Sequence, residues 1–135
     1  MAAGLDREKL DLYLPASNAA IGQARAFVDR LEALDAHQDA RFAVRLLVSE
    51  LFTNAVKYGS RREGSRIRLS VAVTDPMVRV EIGDRGRGFV ADPRAMPDAE
   101  AESGRGLAFL EALADRWGVI NNSETCVWFE LDLRR

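Results

Sequence analysis

Two polar side chains on an apolar stretch are the first sign of chemistry in this 135-residue chain. Ala43, Leu47, Glu50 and Asn54 are spaced 4, 3 and 4 apart, which stacks them on one face of a helix. The same stretch carries Phe42, Val44, Leu46, Val48, Leu51, Phe52, Ala55 and Val56, so it is apolar nearly all round. A carboxylate and a carboxamide in such surroundings need partners, because burial without them costs about 1–3 kcal/mol each. An Asn carbonyl suits a hard cation, and a carboxylate one turn away can orient water or take a hydroxyl proton. For this helix alone, a strip facing solvent or a pair tied to backbone explains the two residues equally well.

A second candidate is the run Glu81-Ile82-Gly83-Asp84-Arg85-Gly86-Arg87-Gly88-Phe89. In strand phase, Asp84 shares the core face of Val80 and Ile82. An ionised carboxylate only accepts hydrogen bonds, which suits an exocyclic amine such as that of adenine. Gly86 and Gly88 allow backbone to approach a ligand closely. The third candidate is Ser103-Gly104-Arg105-Gly106-Leu107, which opens a helix. Free N–H groups at a helix start form a phosphate site, and Arg105 adds charge. Taken singly, an Asp-capped glycine turn and a ligand-free helix start are the simpler readings. Gly86-Arg87-Gly88-Phe89-Val90-Ala91 also fits a dinucleotide pattern, but Pro93 and Pro97 oppose the helix that must follow. There is no Walker lysine motif.

The elements that position these residues follow from periodicity. Lys9 to Leu14 alternates and predicts a strand with Leu10, Leu12 and Leu14 on one face. After Pro15, Ser17 is placed to cap a helix carrying Ile21, Ala24, Phe27, Val28, Leu31 and Leu34. A second helix is predicted from about Asp39 to Tyr58, stopped by Gly59. Alternation at Ile67–Val73 and Val78–Ile82, joined through Thr74-Asp75-Pro76, predicts a hairpin. From Gly83 to Gly106 the pattern dissolves, and so long a stretch in a small domain reads as a functional loop or lid. A third helix from about Arg105 is expected to put Leu107, Leu110, Ala114 and Trp117 on one face. Val119-Ile120, a polar turn at Asn121-Asn122-Ser123-Glu124 and a strand with Val127, Phe129, Leu131 and Leu133 complete the chain. The order predicts an α+β two-layer sandwich: a mixed, mostly antiparallel sheet with its helices on one face.

Composition narrows the function classes. A single domain over residues 1–135, with its core at about 9–133, fits the length. A net charge of −2 lacks the basic field of non-specific nucleic-acid binding. The chain has no run near the roughly 18 apolar residues of a membrane span, and residues 1–9 lack the apolar core of a signal peptide. Cys126 has no internal disulfide partner. One His and one Cys make zinc or Cys–His chemistry hard to assemble. The expectation is a cytoplasmic domain with no direct nucleic-acid or membrane partner.

In this order, the three candidates form a known constellation. Glu50-Leu51-Phe52-Thr53-Asn54-Ala55-Val56-Lys57-Tyr58 resembles the asparagine box of the GHKL superfamily of gyrase, heat-shock chaperone, histidine kinase and mismatch-repair ATPases. Asp84-Arg85-Gly86-Arg87-Gly88-Phe89 resembles its D-x-G-x-G box, and Gly104-Arg105-Gly106-Leu107 its second glycine box. Thr125 matches the threonine of its closing G-T motif, with Glu124 where that motif has glycine. The runs Gly106–Leu110, Asp115–Val119 and Val127–Leu131 are similar to bacterial anti-sigma factors of the serine-protein-kinase type, over most of residues 10–133. No helix pair with a phospho-accepting His precedes the domain, which points away from the histidine-kinase branch; Lys57-Tyr58 is nearer the histidine-kinase form of the box.

The resemblance implies a Bergerat-type fold binding ATP and Mg²⁺. It makes Glu50 the catalytic base toward a serine hydroxyl, Asn54 the Mg²⁺ ligand and Asp84 the partner of the adenine amine. Gly86, Gly88, Gly104 and Gly106 would shape pocket and lid, Leu107 of the second glycine box would join the nucleotide-binding set, Lys57 and Arg105 would lie near phosphates, and Thr125 would support the adenine end. It also implies a sigma factor and an anti-sigma-factor antagonist as partners, and a homodimer. A module that binds ATP and a partner without phosphoryl transfer is the alternative, and an adaptor without nucleotide a further one.

Overall fold

The computed structural model describes residues 8–58, 65–74, 76–84, 105–121 and 125–134, with backbone alone at Tyr58 and residues 105–107. Five strands form one sheet: β1 (Glu8–Pro15), β2 (Arg66–Thr74), β3 (Met77–Asp84), β4 (Arg116–Asn121) and β5 (Thr125–Asp132). Their spatial order is β1-β2-β3-β5-β4, and all four pairings are antiparallel, the mode expected to dominate. The helices are α1 (Ala19–Asp29), α2 (Gln38–Tyr58) and α3 (Arg105–Leu113), with a 3₁₀ turn at Glu32–Leu34.

Alternation in the strands translates directly into two faces. Ile67, Leu69, Val71 and Val73 of β2, Val78, Val80 and Ile82 of β3, and Val127, Phe129 and Leu131 of β5 are buried on one side. The intervening residues of β2 and β3 lie half-buried or exposed on the other, apart from buried Gly83. Helix α2 supplies the second layer through Ala43, Val44, Leu47, Val48, Leu51, Phe52 and Ala55, and it packs on α1, α3 and β3. Phe52 and Phe129 are wholly buried in this core; truncating such a residue to Ala costs about 3–5 kcal/mol.

The first predicted helix is divided. It carries Ala20, Ala24, Phe27 and Val28 in α1, and then Leu31 turns extended (φ −73°, ψ 107°) before the 3₁₀ turn. Arg41 holds this break in place, donating to the carbonyls of Asp29 at 3.2 Å and Leu31 at 2.6 Å and to Asp35 Oδ1 at 2.7 Å. Its guanidinium thus serves carbonyls left over at the end of α1. The cap also differs from expectation: Asn18 is the N-cap, with no side-chain bond, while the Ser17 carbonyl accepts from Ala20 N.

Trp117 lies in β4, not on the third helix. The last helical bond runs from Ala114 N to Leu110 O, and the next N–H, of Asp115, goes to Glu130 O on β5 at 2.8 Å. The sheet captures the chain there. Trp117 still packs against the core, but from a strand and opposite Phe129. Strand β3 likewise runs on through Gly83 and Asp84, past the point where the alternation fades in sequence.

Candidate functional site: a polar row at the end of an apolar sheet

Register brings Asp84 and Thr125 together. They are cross-strand partners on β3 and β5, and Asp84 faces Ile67 of β2 on its other side. Thr125 in turn pairs with Asn121, the last residue of β4. One row across the helix-facing side therefore reads Leu14, Ile67, Asp84, Thr125, Asn121. The adjacent row is wholly apolar: Leu12, Leu69, Ile82, Val127, Val119. The sheet's core face thus changes from hydrocarbon to oxygen at one end. Asp84 is only 2% exposed and Thr125 6%, and the Thr125 hydroxyl donates to Asn121 Oδ1 at 3.1 Å.

Helix α2 carries the second group. Asn54 is 6% exposed and Glu50 half-buried, continuing the stripe of buried Ala43 and Leu47. Neighbouring polar groups on α2 are bound within the protein. Ser49 Oγ accepts from Arg25 Nε of α1 at 2.6 Å, and the Thr53 hydroxyl donates to the Ser49 carbonyl at 2.7 Å. Lys57 is exposed on the last turn. Because α2 packs against both β3 and α3, the helix with Glu50 and Asn54 adjoins the strand ending in Asp84 and the helix opened by Arg105, Gly106 and Leu107. The backbone of those three residues forms the first turn of α3. Gly86, Gly88 and Gly104 lie outside the described residues, as do Gly59 and Glu124.

Among the described residues no group of three or more His, Cys, Asp or Glu could hold a metal ion. A magnesium ion held by one side-chain oxygen together with phosphate oxygens needs no such cluster. Asp84 offers carboxyl oxygens, Asn54 a side-chain carbonyl and the first turn of α3 backbone N–H groups, the kinds of group that an amine, a hard cation and an anion take.

The opposite face of the sheet carries a chain of charges that sequence reasoning missed. Arg68 meets Glu81 at 3.2 Å, Arg79 meets Glu81 at 3.0 Å and Glu130 at 3.1 Å, and Arg116 also bonds Glu130. Arg79 lies over the Trp128 ring, 4.4 Å from its centroid. Burial alone would raise the carboxyl of Glu81, but hydrogen bonds and charge from Arg79 and Arg68 outweigh it and hold the group below its ordinary value. Glu130 is lowered in the same way, its burial overcome by Arg116 and Arg79. Desolvation pulls Arg79 down and its two carboxylate partners more than reverse that. Strand register was the missing signal, since Arg79 and Glu130 are 51 residues apart.

Residues 14–131 match the family model of the histidine kinase-like ATPase domain. An anti-sigma F factor of Clostridium botulinum is 33% identical over 99 residues, 67% of this chain and 67% of that protein. The sensor protein LytS of Enterococcus faecalis is 27% identical over 127 residues, covering 91% of this chain and 21% of LytS. A solved structure of RsbU and RsbW domains from Mycobacterium tuberculosis aligns with a TM-score of 0.66 at 22% identity, over 93% of this chain and 32% of the other, a likeness of fold. With a family match that spans the sheet from β1 to β5, this chain belongs to the histidine kinase-like ATPase domain family.

Proposed function

We propose that this chain is an ATP-dependent anti-sigma factor that binds a sigma factor and phosphorylates a serine on an anti-sigma-factor antagonist. The observation that carries the nucleotide half is the buried Asp84–Thr125 pair at the end of an apolar sheet floor. Acceptors at the end of an apolar row suit the exocyclic amine of a purine. The kinase half is supported by Glu50 on the neighbouring helix and by similarity to anti-sigma F factors.

In this reading Asp84 accepts from the adenine amine, and Gly86, Gly88, Gly104 and Gly106 let backbone close on the nucleotide. Arg105 and Lys57 supply positive charge near the phosphates, Leu107 belongs to the same nucleotide-binding box as Arg105, and Thr125 fixes the adenine end. Asn54 would hold Mg²⁺, which when bound neutralises phosphate charge as phosphoryl transfer requires. Glu50, half-buried, would take the proton from the serine hydroxyl as its oxygen bonds to the terminal phosphorus and the bond from that phosphorus to the bridging oxygen breaks, releasing ADP. The protein would act in the cytoplasm as a homodimer, and β1, an edge strand of the sheet, exposes Leu10 on one face and Tyr13 on the other.

Small proteins co-purifying with the chain from its native cell, incubated with Mg-ATP, provide the test. Phosphoserine on one of them is expected. The Glu50→Ala variant should bind ATP yet lose at least about a hundredfold in transfer rate, whereas Asn54→Ala should weaken Mg-ATP binding itself. ATP binding without phosphoserine would leave a silent binding module and remove the kinase half.

A further inference from the structure

We infer that Asn121 is a positioning residue that fixes the direction of the Thr125 hydroxyl and so sets the pocket's preference for a 6-amino over a 6-oxo purine. The inference rests on the ATP-site reading above. A threonine hydroxyl has one proton to give and two lone pairs to accept with. Here that proton goes to Asn121 Oδ1 at 3.1 Å, so toward a ligand Thr125 presents lone pairs. Its cross-strand neighbour Asp84 is acceptor-only when ionised. Two acceptors side by side match the two hydrogens of an exocyclic amine and oppose the lone pairs of a carbonyl at the same ring position. Without Asn121, the Thr125 hydroxyl could turn and donate to that carbonyl, and the discrimination would relax.

Asn121 is suited to such a role. It closes β4 directly opposite Thr125, which keeps the two side chains on one face at short range. It is exposed while Thr125 is buried, so replacing it leaves the core unchanged. Its place in the sequence, at the start of Asn121-Asn122-Ser123-Glu124, reads as turn chemistry, and only the register shows its partner.

Binding of ATP and of inosine triphosphate, which has a 6-oxo group and a proton on N1 where adenine has a 6-amino group and a bare N1, tests this on the intact chain. Wild type should prefer ATP. In Asn121→Ala the ATP-to-ITP preference should fall about fivefold, the worth of one neutral hydrogen bond. Asn121→Asp, which keeps an acceptor for the Thr125 proton, should restore it. In a Thr125→Val background, Asn121→Ala should change the ratio no further, because the two residues act as one unit. An unchanged ratio in Asn121→Ala, or an equal effect with Thr125 already replaced, overturns the inference while ATP binding stands. A wild type that binds neither nucleotide overturns both the inference and the ATP site it rests on.

Discussion

The two faces of the sheet hold buried polar groups in opposite ways. On the outer face Glu81 and Glu130 each sit between two guanidinium groups. Their charge is answered within the protein. On the helix-facing side the polar row is at the end of the hydrocarbon floor. There Asp84 has Ile67 and Thr125 as strand neighbours, and the Thr125 proton is directed sideways to Asn121. The outer carboxylates serve cohesion, and the proposed function gives the inner one to recognition. Burial does not separate them, since Asp84 and Glu130 are 2% and 8% exposed; register does, because it places them on opposite faces of the sheet.

Substitution on each face can break this comparison. The largest effect expected is from Asp84→Asn, which should weaken ATP binding about 10- to 100-fold, the range of a lost charged hydrogen bond. Glu130→Gln should leave ATP affinity unchanged and instead lower stability by about 1–2 kcal/mol, read as a shift in the urea midpoint. If Glu130→Gln weakened ATP binding as much as Asp84→Asn, the division of labour would be wrong.

A smaller effect is expected in acid. The folded values of Glu81 and Glu130 lie below the ordinary 4.5, so the unfolded chain binds protons more readily than the fold does. The stability these carboxylates add is present above about pH 4.5 and is lost as pH falls through their folded values. Urea midpoints between pH 7 and 3 should fall over that window, and fall less in a Glu81→Gln, Glu130→Gln double variant. An identical decline in the variant would place the acid sensitivity elsewhere.

Much of the inner face was legible from residue order. Alternation at Ile67–Val73, Val78–Ile82 and Val127–Leu133 specified half-buried strands, and its phase placed Asp84 on the core side, because side-chain direction in a strand has period two. The helical stripe put Asn54 and Glu50 on one face but left open whether that face met solvent; the packing of α2 buries Asn54. Trp117 misled because its spacing from Leu110 and Ala114 satisfies a helix, while the hydrogen bond that ends the helix comes from β5, distant in sequence. Asn121 and the outer ion chain were illegible on the same ground. Asn121 meets Thr125 across the β4–β5 hairpin, hidden because β4 reads in sequence as the end of a helix, and the Arg79–Glu130 pair needs β5 beside β3, which no local pattern encodes.

Thermal unfolding of the wild-type chain with and without Mg-ATP addresses the central claim most directly. A nucleotide at 100 times its Kd adds about 2.7 kcal/mol of stability, so the midpoint should rise with ATP concentration. A midpoint unmoved by both ATP and ADP would contradict a nucleotide site at the Asp84–Thr125 end of the sheet.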